Sequence, residues 1–171
     1  MVDKEFTQMM KFGSISSRTG LAFALGAALL LSACANKPGG PETAGLGAAT
    51  PGSAQDFVVN VGDRVFFDTD QTEISAQGRV TLDKQAQWLQ RYPRYQVTIE
   101  GHADERGTRE YNIALGARRA TNAKNFLVSR GINPARIRTI SYGKERPVAV
   151  CNDISCWSQN RRAVTVLNNG G

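Results

Sequence analysis

Histidine is almost missing from this chain: His102 is the only one in 171 residues. A hydrolytic nucleophile needs a base beside it, and a metal needs several N, S or O ligands, so the shortage removes most routes to either chemistry. Cysteine is scarce as well, with three copies. Cys151 and Cys156 form a C-x4-C pair with no second pair to complete a zinc cage. The acidic residues Asp68, Asp70 and Glu73 do not follow the EF-hand calcium pattern. No internal repeat is present. Aromatic residues make up 8% of the chain and do not interleave with a basic run, so the net charge of +6 forms no nucleic-acid stripe. These absences predict a protein that is not an enzyme and has no cofactor, no bound metal and no nucleic-acid partner. The basic balance fits anionic surroundings or a solvated basic surface.

Long hydrophobic runs are also lacking. Leu21 to Leu31, LAFALGAALLL, is too short to span a bilayer comfortably as a mature helix. Lys11 and Arg18 precede it, and Leu31-Ser32-Ala33-Cys34 follows at once. This arrangement resembles a bacterial lipobox. The alternative is a short membrane or core helix with an incidental cysteine. The lipobox implies a signal peptide over residues 1–33, lipidation of the Cys34 sulfur and acylation of the new N-terminus. Three chains make a durable anchor where one is marginal. Ala35, a non-aspartate, implies the outer membrane by similarity to lipoprotein sorting rules. Cleavage leaves 18 basic and 13 acidic residues, a charge of +5. Beyond the inner membrane the environment is oxidising, so Cys151 and Cys156 are expected to form a disulfide, worth about 2 kcal/mol for so small a loop. They lie in the connection before the last predicted strand, away from the chemistry described below.

Residues 34–55 read as the lipidated cysteine and a flexible linker, dominated by Gly, Pro, Ala, Ser and Thr. About 20 such residues reach roughly 25 Å. Residues 56–168 read as the folded head. Val65 to Phe67 is a short buried strand. Leu82, Ala86 and Leu89 recur at helical spacing within Ser75 to Arg91, with Ser75 as N-cap and Pro93 blocking continuation. Tyr95 to Gly101 alternates as a strand. Thr108 to Arg130 is a long helix capped by Thr108, with Gly116, Ala120, Ala123 and Leu127 on its apolar stripe and Gly131 at its left-handed end. Ile137 to Tyr142 and Arg162 to Leu167 complete the set. The βαβαββ order predicts an α/β two-layer sandwich, a mixed four-stranded sheet with helices on one face.

Chemistry concentrates in Gly101 to Ala120, GHADERGTREYNIALGARRA. Asp104 sits where a strand leaves the sheet, and Arg106 and Gly107 turn into the helix. That helix start offers unpaired N–H groups and a positive dipole end. Asn112 and Arg119 are seven residues apart, and seven steps of about 100° bring them to one helix face, shared with Thr108 and Leu115. Arg119 carries a fork suited to a carboxylate, and Asp104 accepts from an ammonium. A pocket for an amino-acid end and a simple internal ion pair between Asp104 and Arg119 look alike at this level.

The same twenty residues are very similar to the signature of the OmpA-like peptidoglycan-binding domain. Further segments match: Phe67 to Ser75, Gly131-Ile132-Asn133, Ile140 to Pro147 and Asn160 to Val164. With lipobox and linker in front, the chain resembles the peptidoglycan-associated lipoproteins. The resemblance implies noncovalent binding of peptidoglycan at the meso-diaminopimelate of its stem peptide. Asp104, Asn112 and Arg119 are the implied ligand contacts, with Asp70, Arg106, Thr108 and Leu115 lining the pocket. Thr69 stands where many relatives have an aromatic residue. The resemblance also implies tethering of the outer membrane to the cell wall, a periplasmic propeller partner of the Tol system and a role in constriction at division. An envelope adaptor working mainly by protein–protein contacts is the alternative.

Overall fold

The structure is a computed structural model and describes residues 49–169. The expected signal peptide, Cys34 and most of the expected linker lie outside the described residues. The strands are β1 (Arg64–Phe66), β2 (Tyr95–His102), β3 (Ile137–Gly143) and β4 (Arg162–Asn169). They form one sheet in the order β1-β4-β2-β3. β4 runs antiparallel to both β1 and β2, and β3 runs parallel to β2. The mixed α/β sandwich expected from the sequence is the one observed.

The helices are α1 (Ala54–Asp56), α2 (Ala76–Arg91), α3 (Arg109–Ser129) and α4 (Ile154–Asn160). Ser75 caps α2, its Oγ accepting from Gly78 N at 3.1 Å. Leu82, Ala86 and Leu89 of α2 and Ala120, Ala123 and Leu127 of α3 pack with Val97 and Ile99 of β2 in a single core. β2 alternates between this core and the open sheet face, which is why its pattern reads with period two. Gly131 follows α3 at φ +90°, where glycine carries no Cβ penalty.

One contact sets how closely α3 approaches the sheet. A Cβ on Gly101 would lie 1.8 Å from the carbonyl oxygen of Gly116. Two glycines therefore let helix backbone touch strand backbone beside the end of β2, where Asp104 emerges.

Two features were not expected. Residues 52–55, read as linker from their composition, join the head. Ser53 caps α1, Tyr95 Oη donates to Gly52 O at 2.9 Å, and Trp88 Nε1 donates to Asp56 at 2.8 Å. Helix α4 was also missed, because seven residues offer too little period to detect. It starts at Ile154, just after the Asp153 cap, and ends at Asn160, immediately before Arg161.

Candidate functional site

Asp104 lies two residues beyond β2 and is only 7% exposed. Its Oδ1 accepts from the main-chain N and the Nε of Arg106, both at 3.2 Å. Its Oδ2 accepts from Arg106 Nη2 at 2.7 Å and from Arg161 Nη1 at 3.3 Å. Burial pushes this carboxyl up, but the hydrogen bonds and charge of Arg106, helped by Arg161, hold it below the ordinary carboxylate range. Asp104 is therefore an anion at neutral pH.

Its expected partner Arg119 is elsewhere. Arg119 is completely buried, and its Nε, Nη1 and Nη2 donate to the carbonyls of Gln71, His102 and Asp68 at 2.9, 2.8 and 3.2 Å. Burial, then repulsion from Arg161, draws it down to about 10, so it stays charged at neutral pH. The simple Asp104–Arg119 ion pair is not formed. Nor does Arg119 present a free fork, because three of its donors clasp the first loop and the end of β2. Arg106 is the exposed arginine.

Asn112 is buried, and its Nδ2 donates to Arg106 O at 2.7 Å, fixing the turn before α3. Thr108 caps α3, as its place at the helix start predicts, its Oγ1 accepting from Tyr111 N at 3.2 Å; the pocket wall, where it was also expected, does not include it. Asp70 sits at φ 61° in the first loop and accepts from Tyr111 Oη at 2.7 Å. Together Thr69, Asp70, Asp104, Arg106, Asn112, Leu115 and Arg119, with Gly107 and Tyr111, surround a pocket of about 260 Å³. A larger groove of about 680 Å³ lies on the other side of the first loop, lined by Phe66, Glu73, Arg79 and Arg161 among others. Size does not decide between them. The smaller pocket gathers two carboxylates and two guanidinium groups around one concavity, which suits a ligand bearing charges of both signs.

The OmpA family model matches residues 66–161, the stretch from β1 to the residue before β4. A peptidoglycan-associated lipoprotein of Rhizobium meliloti (strain 1021) is 64% identical over 160 residues, 91% of each chain. That of Pseudomonas aeruginosa is 38% identical over 169 residues, covering 91% of this chain and 96% of its own. The chain belongs to the OmpA family. Within that family it stands among the peptidoglycan-associated lipoproteins. The crystal structure of the member from Burkholderia pseudomallei superposes with a TM-score of 0.61 at 40% identity, over 62% of this chain and 90% of the other. The C-terminal domain of Helicobacter pylori MotB, at 22% identity and a TM-score of 0.58, shares the fold.

Three residues of this OmpA-family site were not singled out from the sequence. Tyr111 is inside the signature, but nothing in its spacing gives it a role. Arg161 enters the sequence reading only through the Asn160 to Val164 match, yet it reaches Asp104 from across the fold. Trp157 lies on α4 and stacks on Arg106, with the guanidinium carbon 4.2 Å from the ring centroid. The Cys151–Cys156 segment was expected to lie away from the site. In space α4, which contains Cys156, borders it. The two cysteines are joined, with Cα atoms 5.6 Å apart. His102 is a packing residue, 2% exposed beside Tyr142.

Proposed function

We propose that the head binds peptidoglycan noncovalently, taking the side-chain end of meso-diaminopimelate into the 260 Å³ pocket. The observation that carries this reading is the pairing of buried, ionised Asp104 with exposed Arg106 at the pocket mouth. Such a ligand end has an ammonium and a carboxylate. Asp104 and Asp70 receive the first; Arg106, and the unpaired N–H groups at the start of α3, receive the second. Arg119 contributes charge and holds the first loop in place. Binding needs no nucleophile or base, and the chemistry assembled is that of recognition.

With Cys34 lipidated, the head tethers the outer membrane to the cell wall from its periplasmic side. Each head binds reversibly, and many anchored copies on one polymer supply avidity. The names of the relatives support an envelope lipoprotein associated with peptidoglycan. Partnership with the Tol propeller protein and a part in constriction at division belong to the same reading, through the family resemblance.

Pull-down with purified sacculi tests it, with free meso-diaminopimelate as competitor. Wild type should sediment and be released by the competitor. Asp104→Ala should lower recovery about tenfold, in line with loss of a charge-assisted contact. Unchanged recovery of a folded Asp104→Ala protein overturns the assignment.

A further inference from the structure

The exposed arginine of the pocket is held on two sides. Asp104 takes the Nε and Nη2 edge of Arg106, and Thr69 Oγ1 lies 3.4 Å from the same Nη2. The indole of Trp157 takes one face, 4.2 Å from the guanidinium carbon. Trp157 is itself oriented, because its Nε1 donates to Glu105 Oε1 at 3.0 Å. Nη1 of Arg106 makes no hydrogen bond among the described residues. A planar fork with one edge and one face fixed has a single free amino group, and its direction is set by the other two contacts.

Trp157 keeps its place through links that a short helix needs. Seven residues do not sustain a helix alone. Asp153 caps α4, its Oδ1 accepting from Ser155 N at 2.8 Å. The Asn160 side chain accepts from Val148 N at 2.8 Å and donates to Ala149 O at 2.8 Å. The Cys151–Cys156 bond ties the middle of the helix to the preceding loop.

We propose that Trp157 is a positioning residue of the pocket: it fixes the plane of the Arg106 guanidinium so that Nη1 meets the carboxylate of a bound diaminopimelate side chain. The Cys151–Cys156 bond holds Trp157 there. The inference rests on the pocket reading given above and adds a determinant of specificity to it. A stem peptide with lysine in place of diaminopimelate carries the ammonium and lacks the carboxylate. Trp157 should therefore matter for the first peptide and little for the second.

The test is calorimetric titration of the full-length lipoprotein in detergent with soluble stem tripeptides carrying meso-diaminopimelate or lysine at the third position. Trp157→Ala should weaken the diaminopimelate peptide about fivefold and the lysine peptide less than about twofold. Trp157→Phe, which keeps an aromatic face, should recover most of the loss. In an Arg106→Ala background, Trp157→Ala should add nothing, since the two act through one contact. Cys151→Ser with Cys156→Ser should give an intermediate loss. Equal weakening of both peptides, or a further loss in the Arg106→Ala background, assigns Trp157 a merely structural role and overturns the proposal. Asp104→Ala separates the two readings. If it abolishes binding while Trp157→Ala binds as wild type, only the present proposal falls; if it binds as wild type, the pocket assignment falls with it.

Discussion

Arg119 donates from Nε to the carbonyl oxygen of Gln71, 48 positions away in the chain, at 2.9 Å. With its bonds to Asp68 and His102, this one side chain ties the first loop to the end of β2. Replacing it with methionine should leave three carbonyls without their donor and lower stability by about 3 kcal/mol. Lysine should not rescue it, because a single ammonium cannot match the spread of the fork. Urea unfolding of Arg119→Met and Arg119→Lys checks this, and midpoints equal to wild type would remove the clasp.

The Gly101–Gly116 contact makes a second case. A methyl on Gly101 would sit 1.8 Å from backbone oxygen, and neither α3 nor β2 can retreat without opening the core. Gly101→Ala should cost about 3 kcal/mol or more. A thermal melt of the variant reads it directly, and a shift of only a degree or two would contradict the close packing.

His102 gives stability a pH dependence. Burial, then the charges of Arg162, Arg146 and Arg64, draws it down to about 4. Neither ring nitrogen has a hydrogen-bond partner among the described residues, Glu100 Oε2 being 3.6 Å away, and Tyr142 packs on the ring. The unfolded chain takes a proton near the ordinary value of 6.5, while the folded chain resists until about 4. Stability should therefore fall as pH drops from 6.5 toward 4 and level off below, by on the order of 3 kcal/mol before Glu100 tempers it. His102→Gln should flatten the slope of denaturation midpoint against pH within this window. The same slope in variant and wild type would assign the dependence to other groups.

Tyr111 Oη donates to Asp70 at 2.7 Å on an exposed rim. Removing the hydroxyl in Tyr111→Phe should change stability by less than about 1 kcal/mol. Sacculus recovery should drop a few-fold, because Asp70 loses the bond that holds it toward the pocket. Full recovery would show that the rim orients itself without Tyr111.

Much of this was legible in the chain. The spacing of Leu82, Ala86 and Leu89 and of Ala120, Ala123 and Leu127 marked both long helices, because each buries one stripe against one sheet. The alternation in Tyr95 to Gly101 marked the central strand for the same reason. Asp104, Asn112 and Arg119 could be brought near one another, since they sit on a single strand–turn–helix unit whose geometry is local. Thr108 is legible as a cap, and its second expected role in the pocket wall fails because capping and pocket lining both favour a small hydroxyl at a helix start. Helix α4 and residues 52–55 were hidden, being too short to show a period and held by contacts with distant residues.

The sequence alone determined the order of the strands and the two long helices, the family and the stretch in which the site lies, because hydrophobic period, caps and a contiguous motif are local properties. Only the tertiary structure decided which charges meet. It paired Asp104 with Arg106 and Arg161, turned Arg119 inward to carbonyls and set Trp157 on Arg106. A guanidinium has several possible partners of equal chemistry. The packing of segments distant in the chain, as with Asp104 and Arg161, 57 residues apart, decides among them.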